Sequence, residues 1–155
     1  MALAPWSVLA GGKIRTGAEE ERRRQTGESG RITFDPHWER NEQEKKICTA
    51  LEKVAAEVGA KHITSVAIAY LMQKTTYVFP IIGGRKVEHL LANIEALSIS
   101  LTDDQVKYLE SIVESDLGFP HSMIGDGSDV NFFFKLASHI EKKPVAAPLR
   151  PSATQ

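Results

Sequence analysis

The apolar positions of this chain repeat at helical spacing in four stretches. Between residues 42 and 59, Ile47, Leu51, Val54, Ala55 and Val58 recur every three or four residues, and Gly59 supplies a stop. That spacing predicts an amphipathic helix. Residues 63–74 carry Val66, Ala67, Ala69, Tyr70 and Leu71 and leave little polar face. A second helix is expected there, buried on most sides and capped by Thr64 or Ser65. Residues 86–97 place Val87, Leu90, Leu91, Ile94 and Leu97 on one stripe of a third helix. Thr102-Asp103-Asp104-Gln105 has the form of a capping box and opens a fourth helix with Val106, Leu109 and Val113.

Two shorter runs read as extended. Residues 2–9 (ALAPWSVL) end at Gly11-Gly12, and residues 76–82 (TYVFPII) end at Gly83-Gly84, with Pro80 near the strand end. Both patterns predict a buried strand handing over to a glycine turn. Residues 13–45 are polar and densely charged, and are expected to form a long loop. Within it, Glu19–Arg24 predicts one or two helical turns on a solvated face. Residues 118–128 read as loop and 129–141 as a short helix around Phe132, Phe133 and Phe134. A disordered tail is expected over 142–155.

The alternation of strands and helices argues for βα units and a parallel sheet. Parallel sheets are covered on both faces, and two strands do not complete one. The pattern therefore predicts the C-terminal part of a larger α/β architecture, predominantly helical as an isolated chain, with apolar faces left uncovered.

Composition narrows the function classes. The 155 residues are 42% hydrophobic, enough for one buried core. Nineteen basic residues against twenty acidic give a net charge of −1, so no global field draws the chain to nucleic acid or an anionic membrane. A single cysteine, Cys48, excludes an internal disulfide and a multi-cysteine zinc site, and suits a reducing, cytoplasmic setting. It reads as a half-buried small hydrophobe with only Lys45 and Lys46 as nearby bases. No apolar run approaches the roughly 18–20 residues that span a bilayer. The apolar N-terminus lacks the basic residues that open a secretory signal. Glu114, Asp116, Asp126 and Asp129 lack the density of a calcium loop, and no metal site is expected.

The chemistry concentrates in residues 80–97, PIIGGRKVEHLLANIEAL. A buried strand ends in two glycines, which allow close backbone approach to a ligand. Arg85 and Lys86 follow at the opening of a helix, where unpaired N–H groups and the helix dipole favour an anion. His89 and Asn93 lie four apart on one helical face. This arrangement suits a phosphate carrying a heterocycle. A plain tight turn with a solvated Arg85-Lys86 pair is the competing reading.

These residues resemble the end of the aldo-keto reductase barrel, where the eighth strand runs into a P-I-I-G-x-x-K-like loop. A helix of the pattern H/Q-L-x-x-N-I follows. Within that family the chain is most similar to the fungal aryl-alcohol dehydrogenase subgroup, which includes norsolorinic-acid-reductase-like proteins. Its MALAPW-x-VL-x-GGK motif is matched by residues 1–13. Its VFP-I/L-IGGRK-x-EHL-x-x-NIEALSI-x-LT motif is matched by residues 78–102. Its YLESIV-x-x-D-x-GFP motif, with a following S-x-IGD, is matched by residues 108–126. The resemblance implies an α/β (β/α)8 TIM barrel, of which residues 1–141 would supply strands seven and eight with their helices. Residues 13–45 would then be the long loop on the cofactor side.

The resemblance also implies an NADP site. Gly83, Gly84, Arg85 and Lys86 correspond to the loop that holds the 2′-phosphate and adenine end, with His89 and Asn93 facing the adenosine. Trp6, Ser7, Leu9, Gly12 and Lys13 correspond to the loop near the pyrophosphate and nicotinamide. Arg22–Arg24 fall where that family's loop folds over the cofactor. The family's catalytic set of aspartate, tyrosine, lysine and histidine lies on its first four strands, so no catalytic residue is assigned. Such a tyrosine needs its pKa lowered by a neighbouring cation. Tyr70, Tyr77 and Tyr108 match no catalytic motif, and His37, His62, His121 and His139 read as lone surface histidines.

Three functions follow as alternatives. One is an NADP-dependent reductase of aromatic aldehydes or ketones, or an oxidant of aryl alcohols, once completed. Another is a non-catalytic remnant with part of a dinucleotide site. The third is an interaction module that self-associates through an exposed barrel edge.

Overall fold

The computed structural model describes residues 1–30, 32, 37–114, 116–125, 129–144 and 146–151. They divide into two compact units, Met1–Val113 with Ala147–Gln155, and Glu114–Ala146.

The first unit is built around two helices where apolar periodicity predicts them, α2 (Glu42–Val58) and α3 (Ile63–Lys74). Asn41 opens α2 with a full capping box: its side chain accepts from the Glu44 N–H at 2.8 Å, and the Glu44 carboxylate accepts from the Asn41 N–H at 2.8 Å. Gly59 closes the helix in the left-handed conformation, φ 69°. Cys48, Leu51 and Val54 of α2 join Val66, Ile68 and Ala69 of α3 in one core with Ala96, Ile99 and Leu101. Cys48 is fully rather than half buried, and its thiol donates to the Lys13 carbonyl at 3.4 Å.

The capping of α3 differs from expectation. His62 is the N-cap residue and makes no side-chain cap bond. Ser65 instead sits inside the first turn with its hydroxyl 2.7 Å from both the Ala92 carbonyl and a Glu95 carboxylate oxygen. The tertiary partner outcompetes the local cap. Buried Gln73, near the other end of α3, donates to the Ile99 carbonyl at 2.7 Å and accepts from the Leu101 N–H at 2.9 Å. One amide thus satisfies two backbone groups that burial would otherwise leave unpaired.

Helix α4 (Val87–Glu95) runs on into a tight turn over Ala96–Ser98, and α5 (Asp103–Ser111) starts at the expected Thr102–Gln105 capping box. Only Ala92, Asn93 and Ala96 of the α4 segment are buried. The apolar stripe Val87, Leu90, Leu91, Ile94 and Leu97 is 47–69% exposed.

Among the described residues there is no regular strand. The two extended runs meet in a single parallel bridge, Leu3 with Val78. Leu3 N–H donates to the Tyr77 carbonyl at 2.9 Å, Phe79 N–H to Leu3 at 2.8 Å and Ile81 N–H to Pro5 at 2.9 Å. The pairing direction matches the βα reading. The ladder stays short because Tyr77 sits at φ 60°, outside the extended region, and Pro5 and Pro80 have no N–H to offer.

Residues 13–45 are more ordered than a long loop. Gly17–Thr26 form a ten-residue helix, α1, capped by Thr16, whose hydroxyl accepts from the Glu19 N–H at 3.1 Å, and closed by Gly27 at φ 69°. The segment is not uniformly solvated: Glu20 is 3% exposed, between Arg15 at 1% and Arg40 at 8%. Periodicity could not show this helix because charge, not an apolar stripe, anchors it. The Thr16-x-x-Glu19 cap was its sequence signal.

In the second unit, His121–Ile124 form a single turn, α6, inside the expected loop, and Phe132–Ala137 form α7. Asn131 caps α7 and donates from its amide to the Met123 carbonyl at 2.6 Å. The described residues after Lys142 have no regular secondary structure, and Arg150 pairs with Asp103 at 2.6 Å. Asp126 of the S-x-IGD motif, and positions 145 and 152–155 of the tail, lie outside the described residues.

Candidate functional site

The two extended segments run side by side and in the same direction, so the turns that follow them open toward the same region. A cavity of about 750 Å³ lies there, between these turns, the start of α4 and one face of α1. Nine of the eleven residues that the sequence nominates line it: Trp6, Ser7, Leu9, Gly12, Gly83, Gly84, Arg85, His89 and Asn93. Lys13 and Lys86 do not. Lys13 is held by Glu44 at 3.2 Å, and Lys86 is the extended residue before α4.

The glycines have separate tasks. A Cβ on Gly83 would meet nothing within 4 Å, so this residue leaves open space beside the cavity. A Cβ on Gly84 would lie 2.7 Å from the Cβ of His89. Its missing side chain lets the first turn of α4 close onto the turn before it. Gly12, at φ 94°, adopts a backbone that other residues rarely reach.

Two guanidinium groups face the cavity. Arg85 reaches the Glu28 carboxylate at 3.0 Å, linking the 83–86 turn to the end of the α1 segment. Arg23 pairs with Glu19 at 2.5 Å on α1. Its Nε is buried and has no hydrogen-bond partner among the described residues. Of the Arg22–Arg24 run, Arg23 is the residue that lines the cavity. Sequence reasoning singled out neither Glu19 nor Gly30 as cavity-lining.

His62 also lines the cavity and is not a lone histidine: its Nδ1 lies 3.0 Å from Glu95. Burial pushes the Glu95 carboxyl up, but it is outweighed by hydrogen bonds from the Lys61 N–H, the Ser65 hydroxyl and the His62 ring. Together they lower it from the ordinary 4.5 to about 2. One carboxylate thus ties the start of α3 to the end of α4.

No tyrosine is among the cavity-lining residues. Tyr70 donates to Glu110 at 3.1 Å, and its hydroxyl is pushed up to about 12 by burial and then by the Glu110 charge. That is the opposite of the shift a tyrosine general acid needs.

Comparison with known proteins agrees with the sequence motifs. Residues 1–114 match the aldo/keto reductase family. The chain is 60% identical over 153 residues to the aryl-alcohol dehydrogenase (NADP+) of Phanerodontia chrysosporium, covering 97% of this chain and 40% of that protein. It is 45% identical over 125 residues to the aldo-keto reductase ausK of Aspergillus calidoustus, covering 81% of this chain and 31% of that protein. It is 52% identical over 126 residues to the Saccharomyces cerevisiae protein YFL057C, a candidate aryl-alcohol dehydrogenase by name, covering 81% of this chain and 82% of that one. The chain therefore spans well under half the length of the first two relatives. With the family matched over most of its residues, this chain belongs to the aldo/keto reductase family, in the aryl-alcohol dehydrogenase-like subgroup.

Proposed function

We propose that residues 1–141 are the part of a (β/α)8 aldo/keto reductase barrel that carries its seventh and eighth strands, with residues 142–155 as a tail. In this reading the cavity takes the adenosine and phosphate end of NADP. The complete protein would act in the cytoplasm on aromatic aldehydes, ketones or aryl alcohols. One observation carries the reading: the 83–85 turn, His89 and Asn93 meet the residues of the first turn, from Trp6 to Gly12, around a single cavity.

The residues fit the group. Gly83 leaves open space at the turn, and Arg85 offers a guanidinium already holding a carboxylate, the kind of group that also binds phosphate. Arg85 would take the 2′-phosphate, with Lys86 adding positive charge at the start of α4. His89 and the buried Asn93 would face the adenosine from successive turns of α4. Trp6, Ser7, Leu9 and Gly12 would line the way to the nicotinamide end. When bound, the dinucleotide supplies or accepts the hydride of the carbonyl–alcohol interconversion.

Titrating NADP against tryptophan fluorescence tests the proposal, because Trp6 lines the cavity. A saturable change is expected, weakened about tenfold or more in Arg85→Ala for NADP but little for NAD. A flat titration of the unmodified chain would sink the reading.

Tyr70 favours a second reading, in which these 155 residues bind cofactor but do not turn over alone. Mixing the chain with NADPH and an aromatic aldehyde should leave the reduced-nicotinamide absorbance unchanged. Its decay would refute this reading.

A further inference from the structure

His62 lines the cavity with Thr64, Ala92 and Asn93, and its hydrogen bonding is fixed from behind. Its Nδ1 lies 3.0 Å from Oε2 of Glu95, and its side chain is half exposed. Glu95 is held in turn. Its Oε1 accepts from the Lys61 N–H at 2.8 Å, and its Oε2 lies 2.7 Å from the Ser65 hydroxyl. That hydroxyl is also 2.7 Å from the Ala92 carbonyl. Carboxylate, imidazole and the second turn of α4 thus form one bonded group.

This arrangement selects a tautomer. With its pKa of about 2, Glu95 is ionised at neutral pH and can only accept. A neutral imidazole carries one proton, and Glu95 draws it to Nδ1. Nε2 is then an acceptor, and it has no hydrogen-bond partner among the described residues. The other polar side chains on this wall discriminate less. The Asn93 amide and the Thr64 hydroxyl each both donate and accept. His89 makes no side-chain hydrogen bond among the described residues that would select its tautomer. Position matters as well. Arg85 precedes the first turn of α4, whereas Glu95 is the last residue of that helix. In the NADP reading, on which this inference rests, Arg85 takes the 2′-phosphate and the Trp6–Gly12 turn lines the way to the nicotinamide. The base is the part of the ligand left for the wall of His62 and Asn93.

We propose that His62 is a specificity-determining residue of this site: held by Glu95 in one tautomer, it accepts a hydrogen bond from the 6-amino group of the adenine base. Glu95 acts through it as a positioning residue. Hypoxanthine carries a carbonyl where adenine carries the amino group, and two acceptors would then face each other. A site built to bond a donor rejects the analogue that lacks it, because a polar group is left unpaired.

The test measures binding of NADP and of its hypoxanthine analogue to the full chain by calorimetry, at alkaline pH where an imidazole is neutral. The unmodified chain should bind NADP about tenfold more tightly than the analogue. His62→Ala, at a half-exposed position, should bring the two ligands within about twofold of each other. Glu95→Gln sharpens the test. The Lys61 N–H holds the amide oxygen, so the amide NH2 faces Ser65 and His62 and donates to Nδ1. The ring proton then sits on Nε2, and the preference should turn toward the hypoxanthine analogue. Equal binding of the two ligands by the unmodified chain would overturn the inference while the NADP site stands. So would a preference that survives His62→Ala, or one that Glu95→Gln leaves as it was. Failure of the unmodified chain to bind either ligand would remove the NADP reading and this inference together.

Discussion

Helices α3 and α4 are both rich in apolar residues, α3 on nearly every face and α4 along one stripe, and they meet opposite fates. In α3, Ile63, Val66, Ala67, Ile68 and Ala69 are buried, with Ser65 and Gln73 spending their polar groups on neighbouring segments. In α4 the buried face is the small one, Ala92 and Asn93, and the long apolar side chains face outward. The difference lies in the neighbours. α3 packs against α2 on one side and the Ala96–Leu101 segment on another. α4 meets the rest of the unit through Ala92, Asn93 and the Glu95 carboxylate, and its long apolar side chains stay exposed. A hydrophobic stripe specifies a helix and a face to be covered, but not what covers it. Among the described residues the stripe stays exposed.

The contrast is sharpest for matched truncations. Leu101→Ala should cost about 3 kcal/mol in urea unfolding, because Leu101 is buried in the common core. Leu91→Ala should stay within about 0.5 kcal/mol, because Leu91 is exposed. Comparable costs would break the distinction between the two helices. Gln73→Leu comes next, at about 2 kcal/mol, since it orphans the Ile99 carbonyl and the Leu101 N–H together. Gly84→Ala should cost about 2 kcal/mol, because its Cβ would overlap that of His89, and weaken NADP binding several-fold. Hydrogen exchange should show the effect at the start of α4 and leave α3 protected. Protection lost equally in both helices would contradict that placement.

Glu95 links the two helices and titrates in a defined window. Its folded pKa of about 2 lies below the ordinary 4.5. Its contribution is therefore complete above about pH 4.5 and is lost as pH falls toward 2. Urea midpoints of Glu95→Gln should be lower than those of the unmodified chain at pH 7 and converge with them toward pH 2. A constant gap across that range would mean that the Glu95 charge plays no part. The smallest effect belongs to Leu91→Lys. It should leave the urea midpoint nearly unchanged but reduce self-association in sedimentation, since it breaks the exposed stripe. Unchanged association would locate any self-contact elsewhere.

Legibility in the sequence followed the kind of force involved. Helices driven by apolar burial were readable almost to the residue, as α2 and α3 show, because periodicity is the direct trace of burial. The capping box at Thr102 was readable because it is local. Helix α1 was only partly readable: its anchor joins Arg15, Glu20 and Arg40, and contacts spanning 25 positions leave no pattern in a window. The same limit hid the tie from Ser65 and His62 to Glu95. In the candidate site, the glycine-and-cation turn was legible from backbone chemistry. The grouping of Trp6 with Arg85 came through family motifs, since nothing local in either segment points to the other. The two extended runs were legible in direction but not in extent, because the positive φ of Tyr77 that cuts the ladder short leaves no mark in the sequence.

The contact between positions 84 and 89 bears on how such a site could change over evolutionary time. A first carbon on residue 84 would stand 2.7 Å from the first carbon of His89, an atom no rotamer can move aside. A mutation adding any side chain at 84 must wait for a shift of the helix or for glycine at 89. Drift in nucleotide preference is thereby steered toward Arg85, whose side chain is 69% exposed, and homologues with a bulkier residue at 84 should carry glycine at 89 or a displaced start of α4.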